Sequence, residues 1–163
     1  MRRVAILCSG LAVAAVLASS AFAAAPTKAS FSVTDIPATL TGVCGFDVAV
    51  SSDISGFEID YTDESGALTR VYIHNIEQDT FSANGKSITG EPFTFNLDVL
   101  FNSTGEVTHV YASGLVERLV LPSGTLFLSA GRLDFAQHPG TTFLLSPDVG
   151  NPGDVAAFCA ALS

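Results

Sequence analysis

Residues Phe93–Asn102 read FTFNLDVLFN. Phe93, Phe95, Leu97, Val99 and Phe101 point one way, and Thr94, Asn96, Asp98 and Asn102 the other; Leu100 is the single lapse. Successive side chains of an extended chain face opposite sides, so this period of two predicts a half-buried β-strand. The neighbouring segments keep the same rhythm. Cys44, Phe46, Val48 and Val50 share a face against Asp47. Phe57, Ile59 and Tyr61 alternate with Glu58, Asp60 and Thr62, and Val71 and Ile73 with Arg70, Tyr72 and His74. Leu126 and Leu128 alternate with Thr125, Phe127 and Ser129, and Leu133 and Phe135 with Arg132 and Asp134.

Turn chemistry separates these runs: Asp63-Glu64-Ser65-Gly66, Asn84-Gly85, Ser103-Thr104-Gly105-Glu106, Pro122-Ser123-Gly124 and His138-Pro139-Gly140. Asn84-Gly85 suits the positive φ angles of a two-residue hairpin turn. Short strands joined by tight turns predict an all-β antiparallel meander closed as a small β-barrel, with a β-sandwich as the alternative. The C-terminus changes period. Asp154 can cap a helix over 154–162, in which Val155, Phe158, Cys159 and Leu162 fall at helical spacing.

The chain opens MRRVAILCSGLAVAAVLASSAFAAAP. Arg2 and Arg3, an apolar run Val4–Ala18 and the small residues of Ala21-Phe22-Ala23 are the three parts of a secretory signal in order. Residues 1–23 are therefore expected to be a leader cleaved near Ala23 to Ala25, making the protein secreted or extracytoplasmic. No later segment is apolar for the roughly 20 residues that a membrane span needs. Residues 24–40, small and Pro-containing, are expected to be a flexible lead-in to one domain over 41–163.

Cleavage removes Cys8 and leaves Cys44 and Cys159, which allow one intramolecular pairing in an oxidising compartment. A Cys44–Cys159 disulfide is expected. Neither cysteine has a C-x-x-C partner, and neither has a basic neighbour in sequence to depress its pKa.

The remaining chain of about 140 residues is long enough for one buried core. It carries 5 basic residues against 16 acidic ones, a formal charge of −11. Such a surface repels phosphate backbones, so nucleic acid is excluded as a partner. A Cys44-Gly45-Phe46-Asp47-Val48 segment, a β-rich middle and a final helix with Asp154, Cys159 and Leu162 together resemble secreted β-rich proteins common in actinobacteria. That resemblance implies an exported β protein and carries no catalytic residue across. The architecture is also similar, more loosely, to small barrels of the allene-oxide-cyclase and dirigent type.

Catalytic signals are few. Tyr72 with His74, and His109 with Tyr111, sit at i and i+2 on one face of their strands. Facing a barrel interior, they would supply acid/base groups. Facing outward, they would form a cross-strand cluster opposite a core of Val71, Ile73, Val110 and Ala112, and Arg70 on the His74 face favours this placement. Glu58, Asp60, Asp63 and Glu64 lack the spacing of a calcium loop. His74, His109 and His138 lack a zinc-ligand spacing, so no metal site is expected. No cofactor motif occurs. Phe127 and Phe143 sit where the alternation of their strands is ambiguous, so either is a candidate to line a pocket, and an eight-stranded barrel is about wide enough to be filled by side chains or to hold one small ligand. The expected function is binding of a small apolar molecule. The alternatives are a structural or envelope interaction protein without ligand, and a cofactor-free cyclase or isomerase.

Overall fold

The computed structural model describes residues 25–138 and 147–163. The expected leader, 1–23, and Phe143 lie outside them. The strands are β1 Thr27–Leu40, β2 Val48–Thr62, β3 Leu68–Ala83, β4 Lys86–Thr89, β5 Phe93–Phe101, β6 Val107–Val120, β7 Leu126–Asp134 and β8 Val149–Asn151; α1 is Val155–Leu162. They form one antiparallel sheet in the order β1-β2-β3-β5-β6-β7-β8, with β4 on β3 beside β5. The all-β antiparallel sheet is as the alternation required, and the short C-terminal helix is as the change of period required.

Two expectations need correction. Of the expected flexible lead-in over 24–40, residues 27–40 are instead a full edge strand, Thr27–Leu40, paired with β2. Its apolar residues keep one face, Phe31 and Val33 before a bulge and Ile36, Ala38 and Leu40 after it. The bulge absorbs Asp35, at φ 55°, whose N–H donates to Asp53 Oδ1 at 2.9 Å. The second correction is that the sheet is not closed into a barrel. No ladder joins β1 to β7 or β8 among the described residues. β1 carries Pro37, which lacks an N–H, and a bulge, both of which suit an unpaired edge.

The sheet is nonetheless strongly curled. In a flat sheet β1 and β7 would lie about 24 Å apart. Here Ala38 and Leu40 of β1 and Phe135, just after β7, line the same cavity. A corner between β4 and β5 contributes. Gly90 N–H donates to Asp79 C=O on β3, while Glu91 N–H donates to Arg118 C=O on β6. Pro92 then separates this switch of partner from β5.

The main core lies on the concave face at one end, where Val48, Val50, Phe81, Ile88, Leu119, Leu121 and Phe127 receive Phe158 and Leu162 of α1. Phe158 meets Phe81 edge-on at 5.2 Å and Phe127 at 5.5 Å between ring centroids. This core reverses the facing expected for β7: Phe127 is fully buried and Leu126 is 50% exposed. The register decides it, because Phe127 pairs with buried Leu119 and Leu126 with exposed Val120.

An isolated helix of eight residues is marginal in water, so α1 depends on its attachments. Cys159 is bonded to Cys44, with Cα atoms 5.1 Å apart. The β3–β4 hairpin turn, with Asn84 at φ 51° and Gly85 at φ 75°, reaches the helix end. There Asn84 Nδ2 donates to Leu162 C=O at 3.0 Å, and Lys86 Nζ donates to the Ser163 carbonyl. At the other end Asp154 Oδ1 accepts from Ala157 N–H at 2.9 Å. Asp154→Ala should cost about 1 kcal/mol, a fall of a few degrees in melting temperature by calorimetry. An unchanged midpoint would mean that the bridge and the apolar contacts alone hold the helix.

Candidate functional site

Along β3 the residues that point to the concave face are Val71, Ile73, Asn75, Glu77, Asp79 and Phe81. Three polar side chains thus interrupt an apolar stripe. Strand β6 adds a third acid. Its register slips between Leu115 and Glu117, so Leu115 pairs with Ala130 and Glu117 pairs with Ser129. Strict alternation from Ala112 would have turned Glu117 outward. The extra residue, Val116, turns Glu117 and Leu119 inward instead.

Glu77, Asp79 and Glu117 meet in a cavity of about 240 Å³ with walls of Phe81, Phe93, Phe95 and Phe135. Glu117 is 1% exposed and Asp79 8% exposed. Glu117 Oε1 accepts from Arg118 N–H at 2.9 Å, whereas Glu117 Oε2 and Asp79 Oδ1 have no hydrogen-bond partner. The absence of a side chain at Gly90 makes room for the acid, because a Cβ there would come within 2.7 Å of Glu117 Oε1.

Burial favours the neutral form of a carboxyl, and a neighbouring acid adds to this. Glu77 is pushed up to about 8 by burial first and by Asp79 second, with a hydrogen bond from Ser52 opposing. Glu117 is pushed up to about 9 by burial and then by Asp79, against the Arg118 N–H. At neutral pH both glutamates therefore hold their protons beside Asp79.

A second groove of about 290 Å³ lies further along the same face, lined by Phe31, Val33, Ile54, Glu58, Ile73, Asn75 and Leu97. Asn75 Nδ2 is buried there without a partner, and so is Asp60 Oδ1 on the same face of β2. Glu58 is raised by burial and then by Asp60. Phe57, Ile59 and Tyr61 take the opposite face, since β2 keeps one unbroken parity from Val48 onward.

The sequence-derived candidates sit on that opposite face. Tyr72 Oη donates to Asn96 Oδ1 at 2.8 Å, and His74 Nδ1 lies 2.8 Å from the same oxygen. His74 also stacks on Phe57 at 5.1 Å. His109 Nδ1 is 2.6 Å from Asp134 Oδ2, and its ring stacks on Tyr111, over which Arg132 lies at 4.4 Å. Burial opposes ionisation of Asp134, but hydrogen bonds from His109, Val110 and Ala136 outweigh it and hold the carboxyl below its ordinary value. Arg70 grips Asp98 with two hydrogen bonds, at 2.6 and 2.9 Å. This layer satisfies its own polar groups. All four partnerless buried side-chain atoms among the described residues belong to the concave face.

The structure brings His109 together with Tyr111, and Tyr72 together with His74, but leads none of them to the cavity. Phe127 packs in the core against Phe158. Asp63 closes its own turn by accepting from Ser65 and Ala67. Among the described residues no set of three or more His, Cys, Asp or Glu side chains is arranged to hold a metal ion. The acids of the cavity were missed although one signal was present: Asn75, Glu77 and Asp79 occupy the apolar parity of β3. No protein-family model, curated protein or solved structure matches the chain.

Proposed function

We propose that the protein is an exported binder of a small, mostly apolar molecule, taken up on the concave face of the curled sheet. One observation carries this reading: a phenylalanine-walled cavity into which buried, partnerless oxygens of Asp79 and Glu117 project. Leaving such groups unpaired costs free energy that a bound molecule can recover. At about 240 Å³ the space exceeds the ~150 Å³ that accepts a benzene ring. Export rests on the leader pattern of residues 1–23 and is supported by the Cys44–Cys159 disulfide. Among the described residues no helix is long and apolar enough to cross a membrane.

A cofactor-free cyclase or isomerase with this geometry would work through the carboxyls, since Tyr72, His74, His109 and Tyr111 face away. An interaction protein without ligand would need a continuous apolar patch. Among the described residues the large exposed apolar side chains are scattered, with only Val120 and Leu126 opposite one another.

Titration with the uncharged fluorescent probe N-phenylnaphthylamine tests the reading. Saturable one-to-one uptake is expected, and Ala38→Phe at the exposed rim of the cavity should abolish it. Absence of saturable uptake by the native protein would overturn it.

A further inference from the structure

Resting on that reading, we propose that the molecule bound is an organic cation, an apolar group bearing a protonated amine, whose ammonium sits between Asp79 and Glu117 with Glu77 alongside. The walls suit an apolar body and the acids suit a cationic head. Asp79 Oδ1 and Glu117 Oε2 lie on side chains at least nine-tenths buried, and among the described residues only the protons of the neighbouring glutamic acids are there to satisfy them. An ammonium group has three N–H donors to offer. A carboxylate ligand would meet acids only, because among the described residues no Lys, Arg or His lines the cavity. Arg118, next to Glu117, faces away and pairs with Glu91 at 3.0 Å. The chain that remains after leader cleavage has a formal charge of −11, which draws cations to its surface.

The groups that face the ammonium are Glu77 and Asp79 from β3 and Glu117 from β6, with Ser52 on β2 beside them. A cation among them stabilises the ionised acids. The O–H bond of one glutamic acid breaks, its proton passes to buffer, and the carboxylate left behind pairs with the ammonium. Uptake of the cation is thus coupled to release of a proton.

Isothermal titration of the disulfide-bonded protein with phenylethylamine, phenylethanol and phenylpropionate, in two buffers of different ionisation enthalpy, tests this. The amine should bind tighter than the alcohol by about tenfold, the worth of one charge-assisted hydrogen bond. It should also release a proton at about pH 7, and the acid should not bind. Glu117→Gln should reduce the proton release, and Asp79→Asn should erase the preference for amine over alcohol. Equal binding of amine and alcohol without proton release would overturn the cation and leave apolar uptake standing. If N-phenylnaphthylamine also fails to bind, apolar uptake itself fails.

Discussion

The protein should unfold at a higher temperature at about pH 5 than at about pH 8, and Glu117→Gln should remove much of that difference. Unfolded, Glu77 and Glu117 titrate near the ordinary glutamate value of 4.5; folded, they titrate at about 8 and about 9. Between those limits the native state holds protons that the unfolded chain has lost. Stability is therefore complete below about pH 4.5 and falls as pH rises toward 8 and 9. Each carboxyl contributes up to about 1.4 kcal/mol per pH unit. Glu77 is only partly buried, so about 3 kcal/mol for the pair across this interval is a discounted figure, equivalent to roughly 6–12 °C in midpoint. Asp63, Asp134 and Glu106 are shifted the other way, by hydrogen bonds to their ionised forms. Their stabilisation is lost below their ordinary values, so it does not mask the trend above pH 5. Glutamine at 117 keeps the shape and the acceptor for Arg118 N–H but cannot ionise. The variant should be about as stable as the parent at the lower pH and more stable, by about 1–2 kcal/mol, at the higher. A midpoint that stays level or rises from pH 5 to pH 8 would remove the buried acids from the account.

The larger loss comes from removing the disulfide. Cys44 and Cys159 are 115 residues apart, so the bridge closes almost the whole described chain. In the chain-entropy picture a loop of that size contributes roughly 4–5 kcal/mol by restricting the unfolded ensemble. Cys44→Ser with Cys159→Ser should therefore lower the melting temperature by about 10 °C or more. The native fold should survive at room temperature, because Phe158 and Leu162 remain buried and Asn84 still caps the helix. Hydrogen exchange should show α1 and the turn before β2 opening well ahead of β3, β5 and β6 in the variant. A midpoint within a degree or two of the parent would mean that α1 is held by packing alone.

These two expectations differ in how far each could be seen in advance. The cysteine pair followed from counting, once residues 1–23 were read as a leader. The acidic cluster did not. Glu77 and Asp79 sat visibly on the apolar parity of β3, but a single strand cannot say what faces it. Glu117 was hidden by the bulge at Val116, which reverses the facing of everything after it. Leu126 and Phe127 show the same limit: alternation reveals two faces and does not say which is inside. Tyr72, His74, His109 and Tyr111 drew notice as reactive side chains close in sequence, yet their partners Asn96 and Asp134 come from other strands.

The chain by itself determined its period of two, its turns, the start of its terminal helix and the identity of its one disulfide. These are local or combinatorial properties, set by side-chain alternation, by residues that accept positive φ and by the number of thiols. The tertiary structure alone decided that the sheet curls without closing, that residues 27–40 form its edge, and that three acids share one apolar cavity. Those outcomes depend on register and bulges, which are settled only when strands distant in sequence compete for the same buried face.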